Sequence, residues 1–198
     1  MFRLIALGLT AGLLLCPISA IAVDSDGAEG AIEYRLLATK KTSTMQKELD
    51  EAAAQGFRFS AMMGGETLGG AEVVTVLARP AHSDNPELFE YKLLATSKTS
   101  TMQKELNAAG EQGYAYVGQS VSKTAFGGDE VLAVLERPAG GSPQRYVYQL
   151  LATKRTKSMN AELNEAGKQG FELRGLTVSK TAFGGEELLS ILMKAATD

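Results

Sequence analysis

Cysteine occurs once in this chain of 198 residues, histidine once, and tryptophan not at all. The cysteine, Cys16, lies within an apolar N-terminal stretch between Leu15 and Pro17. Bacterial lipidation would need a small residue ahead of the thiol, and Leu15 is not small. Past that stretch no thiol remains for a disulfide, a cysteine-ligated metal or a cysteine nucleophile. A lone His82, in a linker, builds no histidine cluster for zinc and makes a poor base for a serine triad. An excess of positive charge is also missing, with 20 Lys and Arg against 23 Asp and Glu. That balance speaks against a nucleic-acid partner, which needs a basic footprint, and against a polybasic lipid anchor.

Long hydrophobic runs are confined to the N-terminus. Arg3 supplies a short positive region, Leu4 to Pro17 an apolar core, and Ala20-Ile21-Ala22 the small-x-small pattern of a cleavage site. Residues 1–22 therefore read as a signal peptide, too short for a good membrane span, with the mature chain starting at Val23. Removing it removes Arg3 alone among the charges, so 19 basic and 23 acidic residues leave a net charge of −4. The expected location is periplasmic or extracellular, without a transmembrane anchor in the mature chain.

What is present is repetition. Tyr34, Tyr91 and Tyr148 stand 57 residues apart, as do Met45, Met102 and Met159, and Gly56, Gly113 and Gly170. From Tyr34–Leu49 to Tyr91–Leu106, 14 of 16 residues are identical, and from Val121–Glu130 to Val178–Glu187, 9 of 10. Repeats of this length are whole supersecondary units. Each opens with Tyr-x-Leu-Leu-Ala-Thr, an apolar strand. A helix follows with an inward stripe at i, i+4, i+7: Met45, Leu49, Ala52; Met102, Leu106, Ala109; Met159, Leu163, Ala166. Thr44, Thr101 and Ser158 are placed to cap its start, and Gly56, Gly113 and Gly170 to stop it in the left-handed conformation. An aromatic residue then opens a second strand whose alternation reads through Phe171, Leu173 and Gly175. A Gly-Gly turn at 69–70, 127–128 or 184–185 leads to a third strand, closed by Pro80 and Pro138 in the first two copies.

The chain divides into the signal peptide, a flexible N-terminal segment 23–32, repeat 1 at 33–80, a linker 81–89, repeat 2 at 90–138, a linker 139–146 and repeat 3 at 147–194. The fold class is α+β, three tandem β-α-β-β repeats. First and third strands carry apolar residues on both faces, as in Leu36-Leu37, Val73-Val74 and Leu188-Leu189, and one helix covers only one face of its sheet. A unit this small is also marginal alone. The copies are therefore expected to pack as one body, with approximate three-fold symmetry, sheets inside and helices outside. The alternative is an open extended sheet with an oligomer across its bare face.

Tyr-x-Leu-Leu, a helix ending Ala-x-x-Gly-aromatic and a last strand ending Arg-Pro together resemble a family of short bacterial β-α-β-β proteins of unknown function, here in three copies. The resemblance covers about residues 33–194 and implies the compact unit; it carries no activity and no site residues. Gly127-Gly128-Asp129-Glu130-Val131 is similar to the Gly-Gly-Asp-Glu-Phe turn of diguanylate cyclases, but the repeat is far too small for that domain and a hairpin turn explains it.

The candidate binding groups sit around the helix starts. Lys41, Thr42 and Thr44, then Lys98, Thr99 and Thr101, then Arg155, Thr156 and Ser158, put a cation and hydroxyls where free N–H groups and the helix dipole favour an anion. Lys123 and Lys180 add basic residues in a later loop. A solvated cap explains these residues as well. Ser122-Lys123-Thr124 lacks the companion motifs of penicillin-binding enzymes, and Glu48, Glu105 and Glu162 could ring together only if the helices met. No catalytic residue, metal ligand or cofactor is indicated. The expected role is a non-catalytic exported interaction or accessory-subunit protein of the bacterial cell envelope, with protein partners or self-association. An anion-binding protein is the alternative, and an enzyme using carboxylates and lysines comes third.

Overall fold

The computed structural model describes residues 30–68, 70–82, 86–123, 129–141, 144–180 and 186–197. The expected signal peptide, residues 23–29 of the N-terminal segment, Gly69 and the Gly-Gly turns at 127–128 and 184–185 lie outside them, as does the Lys180 side chain.

Three units follow one another: β1 (Ile32–Thr39), α1 (Thr42–Ala53), β2 (Arg58–Thr67) and β3 (Gly70–Pro80); β4 (Phe89–Thr96), α2 (Thr99–Glu111), β5 (Ala115–Lys123) and β6 (Asp129–Pro138); β7 (Tyr146–Thr153), α3 (Thr156–Lys168), β8 (Glu172–Lys180) and β9 (Glu186–Ala195). Their first strands start one residue ahead of the expected repeats. Each unit is a separate antiparallel sheet with its third strand in the centre, ordered β1-β3-β2, β4-β6-β5 and β7-β9-β8. The chain is therefore α+β, with no continuous extended sheet among the described residues.

Local chemistry sets the helix ends. At the C-termini Gly56, Gly113 and Gly170 take φ of 78°, 81° and 83°. Phe57 N–H donates to the Ala52 carbonyl and Gly56 N–H to the Ala53 carbonyl, and the same pair recurs at Tyr114 and Gly113 and at Phe171 and Gly170. This is the Schellman arrangement, which needs a left-handed residue and sends the next aromatic back over the helix. The starts differ from expectation. Only two residues separate strand from helix, so the helices begin at Thr42, Thr99 and Thr156, with Lys41, Lys98 and Arg155 in the N-cap position and no side-chain cap. Thr44, Thr101 and Ser158 fall inside the first turn.

The second strands carry a register shift at one repeated position: between Phe59 and Ala61, Tyr116 and Gly118, Leu173 and Gly175. The alternation read in Phe171, Leu173 and Gly175 breaks there. Leu173 lies opposite Leu192 and Gly175 opposite Ile191, so the two residues belong to opposite faces.

Packing departs from the expected closed three-fold body with helices outside. Helix α1 sits between its own sheet and the next one, and one core joins Met45 and Leu49 of α1, Leu37 and Leu77 of sheet 1, and Tyr91, Leu132 and Val134 of sheet 2. A second core repeats this around α2, joining Met102 and Leu106 to Val131 and Leu135 of sheet 2 and Tyr148, Ile191 and Met193 of sheet 3. The sheets also meet directly, β2 on β5 and β5 on β8. The order is thus sheet, helix, sheet, helix, sheet, helix. The apolar character of both faces of a third strand is explained by β6, whose residues 131–135 are all buried, alternating between the two cores. The extensive contacts join unit 1 to 2 and 2 to 3, leaving sheet 1 at one end and α3 at the other.

Two glycines at matching helix positions expose this difference. A Cβ on Gly110 would strike the Tyr146 carbonyl, whereas at Gly167 it would meet nothing within 4 Å. Gly110→Ala is expected to destabilise the protein by about 1–3 kcal/mol, and Gly167→Ala to stabilise it by about 0.5–1 kcal/mol through helix propensity. Urea unfolding of the two variants checks the opposite signs.

Candidate functional site

Each joint between units is made by polar groups set in the apolar core. Gln46 of α1 lies along the outer edge of β4: its Nε2 donates to the Tyr91 carbonyl (3.0 Å), and Leu93 N–H donates to its Oε1 (2.7 Å). Gln103 of α2 repeats this on β7, donating to the Tyr148 carbonyl (3.0 Å) and accepting from Leu150 N–H (2.7 Å). The amide thus satisfies a sheet edge as another strand would. The first-strand tyrosine reaches the other way. Phe59 N–H, beside the bulge, donates to the Tyr91 hydroxyl (2.6 Å), which donates to Glu136 (3.3 Å). The Tyr148 hydroxyl donates to the Tyr114 carbonyl (2.8 Å) and bonds the backbone of Tyr116. Arg58 closes the first joint with Glu136 at 2.6 Å and lies over the Phe89 ring at 4.1 Å.

At the free end of the stack the same sheet surface has no cover among the described residues. Tyr34 is 67% exposed where Tyr91 is 4% and Tyr148 3%, and Leu36 is 64% exposed. Ile32 and Met63 extend the patch, with Val74 and Val76 half-buried beside them. At the opposite end α3 buries only Ala166, and Leu173, Leu176 and Val178 of β8 are exposed. Exposed apolar residues gathered on one face mark interaction surfaces.

Each helix start opens on a pocket, the first two shared with the following unit and the third lined by unit 3 alone. The first, about 410 Å³, is lined by Lys40, Lys41, Thr42, Ser43, Lys123 and Glu130 among others. The second, about 370 Å³, holds Lys98, Thr99, Ser100, Gln119 and Glu187, and the third, about 460 Å³, holds Lys154, Arg155, Thr156, Glu186 and Glu187. Thr44, Thr101 and Ser158 are not in these linings. Lys123, from the later loop of unit 2, joins the helix start of unit 1. It also pairs with Asp129 at 2.5 Å. Asp129 is buried, so the acidic residue of the Gly-Gly-Asp-Glu turn is engaged in an ion pair at the strand end.

The three helices lie in different layers of the stack, so Glu48, Glu105 and Glu162 do not converge. Among the described residues no three His, Cys, Asp or Glu gather as a metal site, and no helix is long and apolar enough to cross a membrane. Sequence reasoning missed Gln46 and Gln103, and its alternative of a bare sheet face did not single out sheet 1. The signal for sheet 1 was available, because three units joined in an open row leave one sheet without a preceding helix. Comparison with protein-family models, curated proteins and solved structures finds no match for this chain.

Burial raises the phenols of Tyr91, Tyr116 and Tyr148 above their ordinary value; at Tyr91 and Tyr148 a bond from a backbone N–H partly offsets it. The unfolded chain therefore releases these protons first. Stability is complete below the unfolded value of about 10 and declines as pH rises above it. The melting temperature is expected to fall above that pH, with tyrosinate absorbance rising as the chain unfolds. Tyr116→Phe should make the decline shallower.

Proposed function

We propose that this chain is a non-catalytic interaction protein, an exported accessory subunit or scaffold of the bacterial cell envelope, which docks another protein chain on the outer face of sheet 1. One observation carries the reading: among the described residues, the surface that is covered in sheets 2 and 3 has no cover in sheet 1, where Tyr34 and Leu36 are exposed. Removing such side chains from water is worth on the order of 25 cal/mol per Å² of apolar surface, enough to drive association. The N-terminal pattern of residues 1–22 supports the export part of the proposal. A photocrosslinking side chain at position 36 is expected to yield a defined adduct in the native envelope, and one at Lys47, on the charged side of α1, none. Leu36→Glu should abolish co-purification of the crosslinked partner. Equal capture by the parent and Leu36→Glu would overturn the reading.

Anion binding stands second, on the pocket lined by Lys40, Lys41 and Lys123 at a helix start without a side-chain cap. Carboxylates line the same pockets and count against it. If it holds, sulfate should raise the melting temperature of the parent and do so less in Lys41→Ala; equal shifts dispose of it.

A further inference from the structure

The two ends of the stack are the two halves of the joint that the chain already makes twice. Each joint has a donor half, a helix with its following second strand, and an acceptor half, the outer face of the next sheet. Units 1 and 2 supply donor halves, and units 2 and 3 supply acceptor halves. The acceptor half of unit 1 and the donor half of unit 3 remain, on opposite ends of the row. Resting on the docking face proposed above, we propose that its partner is a second copy of this chain: α3 and β8 of one protomer seat on sheet 1 of the next, head to tail.

The repeat spacing assigns the contacts. Tyr34 occupies the place of Tyr91 and Tyr148, whose hydroxyls bond the backbone at Phe59 and Tyr116; its counterpart is the backbone N–H of Leu173. Asn160 occupies the place of Gln46 and Gln103, facing the edge of the next first strand at Tyr34 and Leu36. The substitutions at the two ends are matched in size. In the internal joints an aromatic residue lies against a glycine: a Cβ on Gly118 would come within 2.5 Å of the Phe59 ring, and one on Gly175 would strike the Tyr116 hydroxyl. At the free ends the aromatic is replaced by the smaller Leu173 and the glycine by the larger Ala61. The added methyl and the lost ring belong to opposite ends of the chain, and they meet only between two copies. Leu173, 46% exposed, and Leu36 are the apolar anchors of that contact. Asn160 is one methylene shorter than the glutamines, so the joint between chains holds less tightly than those within one. Such a heterologous contact forms a ring where its rotation closes and a filament where it does not.

Sedimentation velocity from micromolar to near-millimolar concentration tests this, using two variants at exposed positions. The parent is expected to gain mass with concentration. Leu36→Glu and Leu173→Glu should each weaken association by about a hundredfold, because each buries a carboxylate in an apolar contact. Each variant keeps one intact half, so mixing them should produce a one-to-one dimer that neither forms alone. A monomeric parent at every concentration overturns the proposal, and so does association that Leu36→Glu abolishes but Leu173→Glu leaves unchanged, which is sheet against sheet. A monomeric parent that still gives the Leu36-dependent envelope adduct overturns self-association alone; loss of that adduct removes the docking face as well.

Discussion

The structure depends on one constraint: a three-stranded sheet whose central strand is apolar on both faces gains by covering both, and sheets 2 and 3 do so. One helix per unit covers one face, and in sheets 2 and 3 the helix of the preceding unit covers the other. Strand β6 shows the solution at its fullest, with Leu132 and Val134 in one core and Val131, Ala133 and Leu135 in the other. The helix is therefore shared. Its side chains Met45 and Leu49, or Met102 and Leu106, are 0–2% exposed because two sheets close on them. The matching residues of α3, with only one sheet to pack on, remain half-buried.

Hydrophobic cover alone would let layers slide, and the buried polar groups set the register. Gln46 and Gln103 each satisfy one donor and one acceptor of a strand edge at fixed positions. Displacement by one residue would put the amide against the wrong groups and leave buried dipoles unpaired, which costs about 1–3 kcal/mol for each. The bulge beside Phe59 has a related use. By breaking the ladder at one residue it frees a backbone N–H, which the tyrosine of the following unit takes.

Much of this was legible in the residues. The 57-residue period, the strand-helix-strand-strand order and the left-handed glycines follow from local rules that tertiary context had no reason to override. The helix starts were misplaced because Thr44, Thr101 and Ser158 look like caps, while the short connection after Thr39, Thr96 and Thr153 forces the turn earlier. The alternation through Leu173 and Gly175 concealed a bulge, since an extra residue leaves no compositional mark at Arg174. The arrangement of layers was not readable either: two-sided apolar strands demand a cover without saying whether it is a sheet or a neighbour's helix. For the same reason nothing in the residues showed that the stack delivers Lys123 to the helix start of the unit before.

Unit 2 alone has neighbours on both sides, and strand β6 belongs to both cores. Among the described residues the outer units have no extensive contact with each other, so mechanical and thermodynamic communication between them passes through this middle layer. Stability in such rows is a sum of unit and nearest-neighbour terms. A defect at the centre therefore breaks two joints at once, whereas an equal defect at either extremity breaks one. The middle copy is the keystone, and it has the least freedom to drift away from its siblings.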